Sequence, residues 1–441
     1  MIYIIADDLT GASDTGIQFA KNNYKTSLFI INKHNIDSIR QEKNADVLVI
    51  DTETREMDEK SARNIIRDIC NSLVIQEEDL IFKKIDSTFR GNIAAEIEEI
   101  LELTQKNWCI LSPSFPAQNR ITVGAYLLVQ NKLLGYSEYS QNTSQPEKNS
   151  YLPYLLKKQS RLPIEHIGLT DISEERNLLA QKITSNDKKQ PQIMIIDSAD
   201  DFHLQKIITY GLSFKKKIVF AGSAGLANCL ARYQKQSKNT VKDLVKSSNK
   251  PILIVAGSRR SILSDQIKFL KNKIPFAELI IDLEKIFSSQ ENTLHEYKNF
   301  SLNCLLNKQD LIIYTDATYN KNQSIDTKIM QKYNIKPREL EIGIKNFFGI
   351  LSKSIIDNAS ISNLVLTGGD IALSVCRELN ISNLELMKEV LPGIPVSVAR
   401  YQGNSLNIIT KAGGFGEEDT LYNIIKQFKN INNTEGKNNH E

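Results

Sequence analysis

Short apolar runs alternate with longer amphipathic segments along most of the chain. In the first half, the apolar runs fall at residues 2–6, 27–31, 46–51, 80–84, 108–111, 193–196 and 218–221. In the second half they fall at residues 252–256, 279–281, 311–314, 363–366, 396–400 and 406–410. Short runs rich in β-branched side chains are typical of strands that are buried on both faces of a parallel sheet. The pattern therefore predicts an α/β protein with mainly parallel sheets flanked by helices.

The length of the chain and one polar stretch predict two domains. The 441 residues exceed what a single hydrophobic core usually holds. Residues 237–250 are rich in Ser, Lys and Asn and have few large apolar side chains. We therefore predict a first domain at 1–236, a linker at 237–250, a second domain at 251–429 and a polar tail at 430–441.

Composition excludes several classes of partner. The 55 basic and 52 acidic side chains give a net charge of +3, which provides no electrostatic argument for nucleic acid or a membrane surface. No apolar run approaches the roughly 18 residues of a membrane-spanning helix.

The five cysteines form no CxxC pair, which predicts reduced thiols and a cytoplasmic location. The five histidines lack the spacing of zinc ligands.

Two adjacent carboxylates, Asp7 and Asp8, directly follow the first apolar run. Thr10 is the predicted N-cap of a helix over residues 11–21. Aspartates often solvate or cap such turns. However, open α/β sheets bind ligands at the carboxyl ends of their strands. Adjacent carboxylates at such a position also repel each other unless a cation, a sugar hydroxyl or a proton lies between them. We therefore favour a functional role for this pair.

A second polar cluster follows the apolar run at residues 80–84. It places Lys84, Asp86, Ser87 and Arg90 around one turn. This combination suits a small polyhydroxy acid, because arginine binds a carboxylate bidentately and aspartate accepts hydrogen bonds from hydroxyls. A salt-bridged structural turn is the alternative. Arg55, which follows the run at 46–51, is a second candidate for the carboxylate.

Two further turns in the first half contain rigid or small residues. Residues 112–120 include Pro113 and Pro116, which fix the path of the chain and suit either a pocket wall or a simple crossover. We favour the pocket wall because of the neighbouring polar motifs. Residues 222–225 have the composition of a phosphate-binding turn. We interpret their small side chains as close packing between a helix and a strand.

Three glycine-containing turns follow apolar runs in the second half. They are Gly257-Ser258, Thr367-Gly368-Gly369-Asp370 and Lys411-Ala412-Gly413-Gly414-Phe415-Gly416. Glycine lets a backbone approach phosphate closely, and free amides at the start of a helix attract its charge. The GxxxxGK[ST] and GxGxxG motifs are absent, which excludes a P-loop protein and an ordinary dinucleotide-binding domain.

Taken together, the motifs resemble those of the four-carbon acid sugar kinase family. The resemblance extends in order from residue 2 to about 420 and rests on IIADDLTGASDTG, KKIDSTFRGN, SPSFPAQNR, FAGSAGLA, AGSRRS, LTGGDIA, LPGIPV and TKAGGFGEED. It implies an N-terminal domain that binds a sugar acid, a C-terminal domain that binds the nucleotide and an active site in the cleft between them. Relatives phosphorylate the C4 hydroxyl of threonate, erythronate or 3-oxo-tetronate with ATP. The chain departs from the family pattern at two places. Asn119 stands where relatives often have Gly, and residues 137–150 lack an Asp-Pro element that is common in the family.

The resemblance also implies roles for individual residues. It assigns Asp8, Arg55, Lys84, Asp86 and Ser87 to the acid. The polar clusters at the strand ends add Asp7 and Arg90, and we expect Arg55, Lys84 and Arg90 at the carboxylate of the acid. The resemblance assigns Ser258, Thr367, Gly368, Gly369, Asp370, Gly413, Gly414, Phe415 and Gly416 to ATP, and we add Lys411 from the last of the glycine turns. Asp8 is favoured over Asp86 and Asp7 as the catalytic base. Mg²⁺ is expected from the chemistry of phosphoryl transfer, with its protein ligands unassigned.

The sequence predicts a cytoplasmic ATP-dependent kinase of a small sugar acid. A non-catalytic sensor that binds the same ligands is the alternative, and a dehydrogenase is disfavoured because its fingerprint is absent. The stereoisomer and oxidation state of the acid stay open, because pocket shape decides them. Oligomeric state also stays open, with a homodimer as one alternative.

Overall fold

The computed structural model describes residues 1–32, 35, 36, 39, 42, 44–137, 139, 145–173, 178–185, 190–233, 250–258, 261–316 and 324–429. The chain divides into two compact units, Met1–Val241 and Lys242–Glu441. The predicted linker at 237–250, apart from residue 250, and the predicted tail at 430–441 lie outside the described residues. The predicted exposed loop at 137–150 is described only at 137, 139 and 145–150.

The first unit contains a parallel sheet with the strand order β2-β3-β1-β4-β11-β5-β10-β9. Its strands are β1 (Ile2–Ala6), β2 (Thr26–Ile30), β3 (Val47–Asp51), β4 (Leu80–Lys84), β5 (Trp108–Ser112), β9 (Ile164–Ile167), β10 (Gln192–Ile196) and β11 (Ile218–Gly222). Most of these strands are buried along their whole length, because helices cover both faces of a parallel sheet. A separate three-stranded hairpin sheet consists of β6 (Arg120–Val123), β7 (Tyr126–Val129) and β8 (Lys132–Leu133).

The helices of the first unit connect these strands. They are α1 (Leu9–Ala20), α2 (Glu59–Ser72), α3 (Ile93–Thr104), α4 (Leu152–Lys157), α5 (Leu169–Ser173), α6 (Leu178–Ser185), α7 (Asp201–Leu212) and α8 (Ala224–Tyr233). Helix α1 begins two residues earlier than predicted, and the prediction of Thr10 as its cap is wrong. The N-cap is Asp8, whose Oδ1 accepts from the backbone N–H of Gly11 at 2.9 Å. A residue from the predicted site therefore also begins this helix.

The small residues at 222–225 pack closely, as the sequence predicted. A Cβ added at Gly222 would lie 2.7 Å from the carbonyl oxygen of Ser112, and one at Gly225 would lie 2.9 Å from that of Ser114. The helix that follows this turn can therefore approach the neighbouring strand only because side chains are absent at these positions.

The second unit contains a sheet with the order β13-β14-β12-β15-β18-β17-β16. Its strands are β12 (Ile252–Ala256), β13 (Ala277–Ile281), β14 (Leu311–Thr315), β15 (Asn363–Thr367), β16 (Asn383–Leu391), β17 (Ile394–Tyr401) and β18 (Asn404–Lys411). The first five strands in this order are parallel, whereas β16, β17 and β18 pair antiparallel. The sequence did not predict β16, because its apolar residues alternate with polar ones instead of forming a run.

The helices of the second unit are α9 (Ser261–Lys273), α10 (Leu283–Ser288), α11 (Gln290–Leu306), α12 (Ser324–Tyr333), α13 (Pro337–Ile356), α14 (Gly369–Glu378) and α15 (Thr420–Lys429). Helices α9 and α15 bury Leu263, Ile267 and Ile424 against the sheet in one apolar core. The described part of the chain has no helix that is both long and apolar enough to cross a bilayer. The predicted α/β class, with mainly parallel sheets flanked by helices, is confirmed.

Candidate functional site

Three neighbouring strands bring the predicted acid-binding residues to one edge of the first sheet. In the ladder, Ala6 at the end of β1 lies opposite Asp51 at the end of β3 and Lys84 at the end of β4. Because these strands are parallel, the turns that follow them begin side by side. The structure thus brings together the Asp7-Asp8 pair, the segment that carries Arg55 and the turn at residues 85–90.

Arg55 binds both aspartates at this edge. Its Nε and Nη2 donate to the carboxylate of Asp7 at 3.0 and 2.8 Å, and its Nη1 and Nη2 donate to that of Asp8, both at 2.7 Å. The side chain of Asp7 is 3% exposed and that of Asp8 is 24% exposed. Arg55 therefore offsets the repulsion between two carboxylates that the fold holds side by side.

The two aspartates differ in their affinity for a proton. Burial opposes ionisation of Asp7, but the charges of Arg55 and Lys83 hold its pKa below the ordinary value. Burial raises the pKa of Asp8, and repulsion from Asp7 adds to this increase despite Arg55. A pair of carboxylates whose pKa values diverge is typical of sites that perform acid–base chemistry. Asp8 is the better proton acceptor of the two.

The turn after β4 holds the other predicted acid-binding residues. Asp86 Oδ2 accepts from Thr88 Oγ1 and from Arg90 Nε, each at 2.5 Å. Burial would raise the pKa of Asp86, but Arg55 and Arg90 together hold it well below the ordinary value. Lys84 Nζ donates to the carbonyl of Ile85 at 2.9 Å. This turn thus presents an ionised aspartate beside cations.

Behind this edge lies a buried ion pair that sequence reasoning missed. Lys83 Nζ lies 2.5 Å from Glu96 Oε2, and both side chains are 1% exposed. Thr54 donates to the other oxygen of Glu96 at 2.8 Å. Burial raises the pKa of Glu96, whereas the charge of Lys83 opposes this increase. The available signal was Lys83 within the buried strand β4, because a lysine is rarely buried without a partner.

Arg120 is a further residue that sequence reasoning did not assign to the site. It ends the rigid loop at 112–120, and its Nη1 donates to the hydroxyl of Ser87. Its guanidinium carbon lies 5.3 Å from the ring centre of Tyr139. Asn119, the departure from the family pattern, has φ +53°, a left-handed conformation that glycine adopts readily and asparagine tolerates. The loop therefore delivers an arginine to the predicted acid site.

The three glycine turns of the second unit also lie side by side. Strands β12, β15 and β18 are neighbours, and their last residues are in register, with Ala256 opposite Thr367 and Thr367 opposite Lys411. The backbone N–H of Gly257 donates to the carbonyl of Thr367 at 3.2 Å, and that of Gly368 to the carbonyl of Lys411 at 2.9 Å. The predicted nucleotide-binding turns therefore start at one edge of this sheet.

Lys411 has an unusual environment at this edge. Its side chain is buried, and its Nζ donates to the carbonyls of Ala412 and Phe415 at 3.1 and 3.0 Å. No carboxylate pairs with it within the ranges that the structure describes. Burial lowers the pKa of Lys411 to about 8. The ammonium thus organises the glycine turn, and none of its described neighbours supplies a carboxylate.

The turn after β15 begins helix α14. Gly368 is its N-cap and has φ +98°, a conformation that favours glycine. Among the described residues, the buried Thr367 Oγ1 has no hydrogen-bond partner, and Ser258 is 8% exposed on the neighbouring turn. The carboxylate of Asp370, in contrast, is 81% exposed and lies 3.8 Å from Lys345 Nζ. Free amides at the start of α14 and a buried hydroxyl suit an anionic group.

The other predicted nucleotide residues fall on the same turns. Gly369 is the first residue of α14, and the remaining ones, Gly413, Gly414, Phe415 and Gly416, lie on the turn after β18. Gln266 supports that turn by donating through Nε2 to the carbonyls of Phe415 and Glu417 at 3.1 and 2.9 Å. Among the residues with described positions, no three His, Cys, Asp or Glu side chains form a metal site. No protein ligand for Mg²⁺ is therefore assigned.

Two family models match the chain, one in each half. The family model of a sugar-binding N-terminal domain matches residues 2–230, and that of a nucleotide-binding C-terminal domain matches residues 253–421. The chain is 29% identical to a D-threonate kinase of Salmonella typhimurium over 426 residues, which cover 96% of this chain and 97% of that protein. It is 24% identical to a D-erythronate kinase of Heliobacterium modesticaldum over 432 residues, which cover 96% of each chain.

A solved structure shares the fold. The crystal structure of a Haemophilus influenzae protein of the DUF1537 family superposes with a TM-score of 0.74 at 19% identity, over 97% of this chain and 100% of that one. The two domain models together account for most of the chain, and the first alone covers more than half of it. The chain belongs to the four-carbon acid sugar kinase family.

Proposed function

We propose that this kinase transfers the γ-phosphoryl group of ATP to the C4 hydroxyl of a four-carbon sugar acid such as threonate, erythronate or a 3-oxo-tetronate. The observation that carries the proposal is the buried ammonium of Lys411, which has no carboxylate partner in the described part of the chain and lies where three glycine turns begin. A buried cation is costly unless an anion pairs with it. A polyphosphate would supply that anion.

The chain's own groups would hold the nucleotide at this edge. Gly368, Gly369 and the other glycines of the turns let phosphate approach the backbone, and the amides at the start of α14 donate to it. The hydroxyl of Thr367 is buried beside them and free to donate within the described structure. Bound ATP would supply the phosphoryl group, with Mg²⁺ as its expected counter-ion.

The edge of the first sheet would hold the acceptor. Asp7, Asp8 and Asp86 provide carboxylate oxygens that accept from sugar hydroxyls, and Arg55 keeps the first two in place. Asp8 is the proposed base, because its carboxylate is more exposed than that of Asp7 and its pKa is raised, chiefly by burial. It would accept the proton of the attacking hydroxyl. Direct transfer further requires that the two bound substrates meet during turnover.

Release of ADP is the test of this proposal. The purified protein would be assayed with ATP and Mg²⁺ over D- and L-threonate, D- and L-erythronate and 3-oxo-tetronates, with mass spectrometry of the products. We expect ADP release that depends on at least one acid, together with a product phosphorylated at C4. Binding of the acids without ADP release would identify a sensor instead and contradict the proposal.

Asp8→Asn tests the catalytic base. Asparagine is as good an N-cap as aspartate, so helix α1 should remain intact. We expect kcat to fall by roughly two to four orders of magnitude, while the dissociation constant for ATP stays nearly unchanged. The matched control is Asp58→Asn, the same change at the exposed N-cap of α2, where Asp58 accepts from the N–H of Ser61 at 3.0 Å. Near-normal turnover of Asp8→Asn would remove Asp8 from this role.

A further inference from the structure

The arginines predicted for the substrate carboxylate already have anionic partners. The guanidinium of Arg55 makes four hydrogen bonds to Asp7 and Asp8. Arg90 donates through Nε to Asp86 at 2.5 Å. An acid bound at either arginine would bring its negative charge next to carboxylates that the arginine already neutralises. A separate cation would bind the acid with less repulsion.

Arg120 is such a cation. Within the described residues no carboxylate contacts it, and its guanidinium touches the Ser87 hydroxyl and the Tyr139 ring. Its Nε is buried and has no hydrogen-bond partner there. Leaving a buried donor unpaired costs free energy, which a ligand oxygen at Nε would recover. Nε and a terminal nitrogen form the edge of a guanidinium that a carboxylate can bind with two parallel hydrogen bonds.

The backbone of Arg120 is held firmly. Its N–H donates to the carbonyl of Phe115 at 3.2 Å, and the N–H of Phe115 donates to the carbonyl of Arg120 at 2.7 Å. Two residues further on, Thr122 exchanges backbone hydrogen bonds of 2.9 and 3.0 Å with Ser198, just after β10. Ser114 adds hydrogen bonds from its hydroxyl to Thr122 Oγ1 and to the carbonyl of Ser198. The side chain therefore starts from a preorganised support, which limits the entropy lost on binding.

We propose that Arg120 binds the carboxylate of the sugar acid and gives the site its preference for acids over uncharged polyols. Ser87 and Tyr139 orient the guanidinium, and Ser87 follows Asp86 directly on the turn after β4. Arg120 thus reaches the β4 turn, while Asp8 follows β1, the neighbouring strand. The two ends of the acid are held from different turns of the same edge. This inference rests on the proposed kinase function and refines it.

The test compares Arg120→Gln and Arg120→Lys with the wild type and with Arg161→Gln, a change at an exposed arginine of the same unit. KM and kcat are measured for the preferred acid, and equilibrium binding of the acid is measured by calorimetry without ATP. The matching tetritol, in which a CH₂OH group replaces the carboxylate, is measured as a substrate or competitor. Thermal unfolding verifies that each variant is folded.

We expect Arg120→Gln to raise KM and the dissociation constant for the acid about 100-fold, with kcat changed only a few-fold. Binding of the tetritol should stay unchanged, and Arg120→Lys should restore part of the acid affinity, because lysine keeps the charge but not the paired donors. Equal losses for acid and tetritol, or unchanged acid binding, would overturn the role of Arg120. A wild type that binds the acid without releasing ADP would refute the kinase proposal alone, and a wild type that binds no acid would refute both.

Discussion

The protonation state of Lys411 should control nucleotide affinity. Burial lowers its pKa from 10.5 to about 8. The difference, 10.5 minus about 8, is about 2.5 pH units and corresponds to about 3 kcal/mol. This free energy is the cost of keeping Lys411 charged in the folded protein. The cost is present in full below about pH 8 and is relieved as pH rises from there towards 10.5, where the unfolded chain also loses its proton.

A bound phosphate would supply an anion for Lys411, which has no carboxylate partner among the described residues, so the protonated form should bind ATP more strongly than the neutral form. The affinity should be nearly independent of pH below about pH 8 and should then fall about tenfold for each further pH unit. Binding at about pH 9 should take up close to one proton per site, because ATP would restore the charge on Lys411.

Calorimetric titration of ATP in buffers with different ionisation enthalpies measures both quantities. The comparison variant is Lys411→Met, which has a side chain of similar length and no charge. We expect it to bind ATP more weakly below about pH 8 and to show no proton uptake, provided that thermal unfolding shows it to be folded. Constant ATP affinity of the wild type across this pH range, or the same pH dependence in Lys411→Met, would refute the reasoning.

Three further substitutions test the buried polar groups. Arg55→Gln leaves two adjacent carboxylates without their cation and should lower the free energy of unfolding by about 3–5 kcal/mol at neutral pH. Part of this stability should return in mild acid, because protonation removes the repulsion between the aspartates. Stability that does not return in mild acid would show that the aspartates do not repel each other. Glu96→Gln removes the carboxylate that lies 2.5 Å from the buried ammonium of Lys83. Denaturant unfolding should show a loss of similar size, about 3–5 kcal/mol. A stability equal to that of the wild type would show that this ion pair does not stabilise the fold. Thr367→Val removes a buried hydroxyl that has no partner in the described structure. The free energy of unfolding should therefore stay the same or rise by about 1 kcal/mol, whereas ATP affinity should fall about tenfold. Unchanged ATP affinity would exclude Thr367 from the nucleotide site.

Much of the fold could be predicted because its signals are local. A short apolar run that is buried on both faces is recognisable without knowledge of its neighbours, and β1, β4, β12 and β15 match their predicted runs closely. Strand β16 was missed because its apolar residues alternate with polar ones, as in a strand with unequal faces. The start of α1 was misplaced because two residues, Asp8 and Thr10, both have side chains suited to an N-cap.

The composition of the candidate site could be predicted only in part. The polar residues that follow each strand were evident, because a polar cluster directly after a buried run lies at the carboxyl end of that strand. Their partners were not evident. Arg55 binds residues more than 40 positions away, and Arg120 reaches a serine 33 positions away. No periodicity in the sequence records such contacts, because they form only after the strands have been ordered in the sheet.

The sequence by itself determined most of the buried strands and the chemistry that follows five of them. Carboxylates follow β1, cations and a hydroxyl lie at and after the end of β4, and glycines follow β12, β15 and β18. Only the tertiary structure decided which strand ends are neighbours and which charges meet. It paired Arg55 with Asp7 and Asp8, enclosed Lys411 without a carboxylate in the described part of the chain, and brought Arg120 to Ser87. The physical reason is that apolar patterning acts over a few residues, whereas strand order and burial of charge depend on packing across the whole unit.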